Sequence, residues 1–352
     1  TDLASTTTAL FLTRWITYFC APVFFLLTGT GAYLSLRRKS PAELSRYLFT
    51  RGLWLIFLEL VLLRCFAYQF NVDYRVTMLL VLWALGWAMI TLSALVRLPA
   101  AVVAAIGLVM IAGHNLFDGV RLTGPVSGPI WAILHAPGFV LNNPAHVVFV
   151  AYPLIPWIGV TAAGFGLGQI YAWDADRRRV FLLQLGVALS LGFVILRYLN
   201  GYGDSARWTM QTSATFTALS WLNTTKYPPS LLFLLMTLGP ALLLLAAFDR
   251  GTPSWLRPAV VFGKVPMLYY VLHFTLIHLL AVVACLARYR SAHWMFESPD
   301  LAHYPFSPPP GWGYSLPVVY LIWIVVVIAM FPVCRWFAAL KQRRQDAWLS
   351  YL

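Results

Sequence analysis

Charge is what this 352-residue chain has least of: only 11% of its residues are Asp, Glu, Lys or Arg. Soluble domains carry about 25%, so there is too little polar surface here to clothe a folded body in water. Hydrophobic residues make up 60% of the chain. They recur in long runs near the ~20 residues that a helix needs to cross a bilayer. This combination excludes an ordinary soluble domain. Cysteine is scarce too: Cys20, Cys65, Cys285 and Cys334 lie in or near apolar runs without paired spacing. They read as small packing residues and argue against a zinc site or a disulfide framework. No His-Glu-x-x-His pattern occurs. His273 and His278 are five apart, about 140° around a helix, so one face cannot present both to a metal. No metal is expected. A net charge of +13 does not indicate nucleic acid, because the basic residues are scattered between apolar runs.

The runs define an all-α fold, a polytopic transmembrane helix bundle of about nine spans with membrane lipid as its solvent. They fall near residues 15–36, 48–69, 77–96, 99–117, 146–171, 180–199, 229–248, 260–286 and 315–338. Turn and boundary signals such as Arg37-Arg38-Lys39-Ser40-Pro41 and Asp249-Arg250-Gly251-Thr252-Pro253 separate them. No repeat of solenoid length is evident, and residues 1–352 read as one domain. Alternating the loops collects 16 of the 25 basic residues on one side, in short loops or span ends. That side is expected to be cytoplasmic. The C-terminus then faces the cytoplasm, and the long loops 118–145, 200–228 and 287–314 face outward. Thr1 would also lie outside, with neither an initiator methionine nor a signal sequence before it, so a preceding first helix is expected.

Polar residues inside apolar spans need a reason, since a charge at the bilayer centre costs about 2.5–3.5 kcal/mol on insertion scales. Glu59 lies eleven residues into its span, ~16 Å deep, and Arg64 is on another face. Glu59 is either one half of an interhelical ion pair or a catalytic or ion-coupling group. His273 lies ~13 Å inside its span, with Tyr269 and Tyr270 on its own side. It reads equally as a general acid or base and as a structural hydrogen-bond donor. His114 clusters with Asn115 and Asp118 in a helix-terminal turn, whereas His146 reads as a solvated interfacial residue. Lys226 and Tyr227, just before Pro228-Pro229-Ser230, suit interfacial anchors or a site. The Asn223-Thr224-Thr225 sequon is a weak signal. Gly164 and Gly168 suit close helix packing rather than a nucleotide loop. Arg37, Arg38 and Lys39 are topology signals or a seat for a phosphorylated donor. Glu59, His114 and His273 are expected to approach one polar cavity rather than lipid.

A resemblance narrows the choice among membrane enzyme, transporter and structural protein. Thr13-Arg14-Trp15-Ile16-Thr17-Tyr18-Phe19-Cys20-Ala21-Pro22, Gly113-His114-Asn115-Leu116-Phe117-Asp118, Lys226-Tyr227-Pro228-Pro229-Ser230-Leu231 and Tyr269-Tyr270-Val271-Leu272-His273 carry it. These segments, and the C-terminal Trp348-Leu349-Ser350-Tyr351-Leu352, resemble bacterial relatives of heparan-α-glucosaminide N-acetyltransferase. The resemblance implies an acetyltransferase of the bacterial inner membrane that uses acetyl-CoA as co-substrate. It would move an acetyl group from the cytoplasm to an amino sugar or glycan outside. A transporter of a small solute or glycan precursor is the alternative. His273, His114 and Glu59 are the catalytic candidates. Arg14, Asn115, Asp118, Lys226, Tyr227, Tyr269 and Tyr270 would bind substrate, and Arg37, Arg38, Lys39 and Lys264 would hold the CoA phosphates. A homodimer is allowed for. Tyr18 stands where the family often has histidine, and the family's Asp-His-x-Arg-Asp segment would precede Thr1.

Overall fold

The computed structural model describes residues 1–344, 346 and 349. Trp348 and residues 350–352 of the C-terminal motif lie outside the described residues. The helices in chain order are α1 (Thr8–Thr17), α2 (Cys20–Ser35), α3 (Pro41–Phe57), α4 (Val81–Leu95), α5 (Ala100–Gly113), α6 (Ser127–Leu134) and α7 (Leu154–Leu167). Then come α8 (Ala175–Leu199), α9 (Ala214–Leu222), α10 (Leu231–Phe248), α11 (Arg257–Lys264), α12 (Pro266–Tyr289) and α13 (Leu316–Arg343). A π-helical stretch, Leu58–Tyr68, follows α3 directly. Strands β1 (Val76–Leu79), β2 (Gly138–Asn142) and β3 (Val147–Val150) form a small sheet in the order β1-β3-β2. The fold is mostly α, as expected of a polytopic bundle.

The count of nine spans needs correction. Among the described residues seven helices are long and apolar enough to cross a membrane: Thr8–Ser35, Ala100–Phe117, Leu154–Ala172, Ala175–Leu199, Leu231–Phe248, Pro266–Tyr289 and Leu316–Arg343. The expected span 77–96 shrinks because its first residues are strand; α4 keeps 15 residues. At 1.5 Å per residue it reaches ~22 Å, short of the ~30 Å hydrocarbon core. The expected span 48–69 lies in a long helical stretch that carries Arg51, Glu59 and Arg64 and leaves α-geometry at Leu58. Extended π-helix is rare and often marks functional positions.

Two compact units divide the chain. The first comprises Thr1–Ile56, Met78–Val140 and Phe149–Gly251; the second comprises Phe57–Thr77, Leu141–Val148 and Thr252–Leu352. Small residues build the first unit. A methyl group on Gly164 would meet the Leu26 carbonyl, and one on Gly29 would meet that of Thr161. So α2 and α7 touch backbone to backbone, the close approach that small residues allow in membranes. Gly186 and Gly239 do the same for α8 and α10.

The first unit has one end rich in paired cations. Arg178 grips Asp249 through Nε and Nη2 at 2.8 and 2.9 Å, Arg250 bonds Asp176 at 2.8 Å, and Arg37 donates to the Tyr171 carbonyl at 2.7 Å. The start of α8 and the ends of α2, α7 and α10 therefore meet there, as the alternation of loops predicts. In the second unit, α11 and α13 enclose a core of Val265, Val326, Met330, Cys334 and Phe337.

Candidate active site

At the opposite ends of α5 and α10, away from those cations, the chain gathers histidine and carboxylate. His114 and Asn115 begin a 3-10 turn that ends α5, and both are buried. His135, at the end of α6, is also buried, and its ring centroid lies 5.7 Å from that of His114. Its Nε2 points at Asp118 Oδ1, 3.5 Å away. Asn115 donates to Asp118 Oδ2 at 2.9 Å and accepts the Leu231 N–H at 2.9 Å. Burial alone would push the Asp118 carboxyl up, but the bonds from His135 and Asn115 outweigh it and leave the group below its ordinary value. Asp118 is thus a carboxylate at neutral pH, and it favours the His135 tautomer with a proton on Nε2. Nδ1 of His135 then carries the lone pair, and among the described residues no hydrogen bond occupies it. The Pro229 backbone carbonyl lies beside the His114 ring as its polar neighbour, and among the described residues the ring makes no other hydrogen bond. Two buried imidazoles with vacant nitrogens next to an oriented carboxylate form a proton-accepting arrangement.

The Lys226–Ser230 turn sits beside this cluster. It is pinned by Arg197, buried in the last turn of α8, which donates to the carbonyls of Ala206, Ser220, Trp221 and Asn223 at 2.9–3.1 Å. Asp204, 3.8 Å from Arg197, accepts the Thr225 N–H and the Thr225 and Ser230 hydroxyls. Ser230 in turn caps α10. Held this way, Lys226 and Tyr227 line a cavity of about 560 Å³ together with Arg14, Tyr18 and Asn223. Lys226 Nζ lies 5.3 and 5.2 Å from the Tyr18 and Tyr227 ring centroids. Three expected substrate residues, Arg14, Lys226 and Tyr227, therefore share one cavity, while Asn115 and Asp118 belong to the histidine cluster.

Glu59 and His273 lie in the second unit. Glu59 is buried, and Arg64 does not share its side: the guanidinium turns to Asp73 at 3.2 Å and to Asn71. Glu59 lies among phenols instead. Burial and its charge push the Tyr304 hydroxyl up, against the pull of Arg64. Tyr68 bonds Tyr270 across 2.9 Å. His273 stacks flat on Tyr269, with centroids 4.7 Å apart, and its Nδ1 faces the Tyr269 carbonyl at 2.8 Å. His278 spans the carbonyls of Ala67 and Met295 at 2.8 and 2.9 Å, a structural clasp. Arg38, Lys39 and Lys264 are at helix ends, with Lys39 over the Tyr47 ring.

His135, Asp204 and Arg197 are site-building residues that sequence reasoning missed. His135 had one faint signal, a tryptophan four residues earlier whose ring lies 4.7 Å from its own. Among the described residues no group of three metal-ligating side chains is placed to hold a metal ion.

Membrane-spanning helices around a buried histidine–aspartate centre define a polytopic membrane protein with the makings of an enzyme. The family model for heparan-alpha-glucosaminide N-acetyltransferase, catalytic, matches residues 2–196. That is more than half of the chain, which belongs to this family of transmembrane acetyltransferases. The match takes in His114, Asn115, Asp118 and His135 and ends before Lys226 and His273. No curated protein and no solved structure matches the chain.

Proposed function

We propose that the chain transfers an acetyl group from acetyl-CoA to an amino sugar or glycan, with the donor phosphates at the basic end of the first unit and the acceptor at the histidine end. The supporting observation is the opposed chemistry of those ends within the segment that the family match covers. Arg37, Arg38 and Lys39 would hold the CoA phosphates. The pantetheine arm would be directed inward. The basic end faces the cytoplasm of a bacterium on this reading, by the positive-inside rule.

At the other end the acceptor amine attacks the thioester carbonyl. The N–C bond forms as His135 Nδ1 takes the amine proton, the C–S bond breaks, and the imidazolium returns that proton to the departing thiolate, which leaves as CoA. Asp118 steadies the imidazolium that forms. Arg14, Lys226 and Tyr227 bind the sugar in the cavity beside the cluster.

A second assignment of the base has its own support. With Nδ1–H of His273 on the Tyr269 carbonyl, Nε2 carries the lone pair. The two assignments separate in one experiment. Proteoliposomes of the full chain receive labelled acetyl-CoA and a panel of amino sugars and oligosaccharides, and free CoA is measured with a thiol reagent. General-base help is worth about 10²–10⁴ in rate. His135→Ala should lose that factor and His273→Ala should not. CoA release at the normal rate from the His135 variant would move the role to His273. Solute uptake without CoA release would replace the transferase by a transporter.

A further inference from the structure

The first unit contains a second cavity, whose lining includes no side chain of the histidine cluster and whose chemistry is different. It holds about 520 Å³ and lies between α5, α7, α8 and α10. Leu108, Ile111, Leu189, Leu235 and Leu238 typify its walls. From Leu231 to Leu242 on α10 the lining extends ~16 Å at 1.5 Å per residue. So long and apolar a trough does not suit a sugar, whose hydroxyls would be stripped of water without partners.

The mouth at the basic end is different. Trp173 and Phe181 line the trough and also a neighbouring pocket of about 330 Å³, whose other walls include Arg177 and Gln184. The Arg177 guanidinium lies over the Trp173 ring, 4.6 Å from its centroid. Two nearby cations are already matched, Arg178 by Asp249 and Arg250 by Asp176. The Asp174 carboxylate is turned to cap α8 through the Arg177 backbone N–H. Among the described residues no carboxylate forms an ion pair with Arg177. An apolar trough within membrane-spanning helices, ending at an unmatched cation beside an indole, has the layout of an amphiphile: chain inside, anion at the rim.

We propose that this trough is a binding site for an anionic phospholipid, with one acyl chain between α5, α8 and α10 and the phosphate at Arg177. The site does not depend on the transferase reading. The lipid completes the packing of helices that leave this gap in the unit, and Arg177 selects the headgroup. A basic residue at an anionic lipid surface contributes about a fivefold preference.

The test uses the full chain, purified in detergent, stripped of lipid and titrated with phosphatidylglycerol or phosphatidylcholine of the same acyl chains. Bound lipid is counted by native mass spectrometry and stability is followed by thermal unfolding. Phosphatidylglycerol should bind about fivefold more tightly than phosphatidylcholine and raise the unfolding temperature more. Arg177→Gln, at an exposed position that does not threaten folding, should bring the two lipids level. Leu189→Trp, which fills the trough, should weaken both. Equal binding of the two lipids, unchanged in Arg177→Gln, would mean belt lipid only and overturn the proposal. So would inorganic phosphate reproducing the shift by itself, or acetyl-CoA displacing the lipid from the trough.

Discussion

Replacing Arg197 by alanine tests whether the Lys226 turn is held by the knot described above. The guanidinium is 1% exposed and donates to four carbonyls, with the equally buried Asp204 carboxylate 3.8 Å away. Hydrogen bonds to charged groups are worth about 1.5–3 kcal/mol each, so simple addition gives ~6–12 kcal/mol. That sum is too large, because the loop relaxes and some carbonyls recover water. Removing one partner of a buried ion pair costs about 3–5 kcal/mol. Asp204 keeps the Thr225 and Ser230 donors, which places the expected loss toward the lower half of that range. Thermal unfolding in detergent measures it, and amine labelling of Lys226 reports the turn directly. Arg197→Ala should unfold some degrees earlier and label Lys226 faster, while Arg197→Lys falls between. A loss below about 1 kcal/mol with unchanged labelling would refute the reasoning.

Asp118→Asn should lower CoA release by one to two orders of magnitude while acetyl-CoA still binds, as measured by turnover and by equilibrium binding. Because the folded-state value of Asp118 lies below the ordinary carboxylate value of about 3.9, its stabilising contribution is present above that pH and lost as pH falls through the folded value. Unfolding temperatures of wild type and Asp118→Asn should therefore differ at pH 7 and converge in strong acid; a constant gap would contradict the assignment. Gly29→Val should cost about 1–3 kcal/mol by forcing α2 off α7, and unchanged unfolding would dismiss that contact. A cytoplasm-dependent fluorescent reporter fused after Leu352 should light up, whereas a dark fusion active as a periplasmic phosphatase would reverse the orientation.

The sequence by itself determined the solvent of this protein. Sparse charge and repeated 20-residue apolar runs admit few folds other than a membrane helix bundle, because backbone polar groups in lipid must be satisfied within each helix. It also located the helix ends that meet at the basic pole, since arginines between spans obey a rule of position rather than of contact. Gly164 as a close-packing position was legible for the same reason: small residues in apolar helices have few other uses. Span number was less legible, because hydropathy does not distinguish α4 and its preceding strand from a full crossing, nor foresee the π-geometry around Glu59. Only the tertiary structure joined His135 to Asp118 and His114, and Arg197 to Asp204. These partners lie in loops and at helix ends without periodicity, and their meeting is fixed by how the helices pack. The groove at Arg177 belongs to the same class. Its walls are leucines from several helices, and only the packing of those helices brings them around one space.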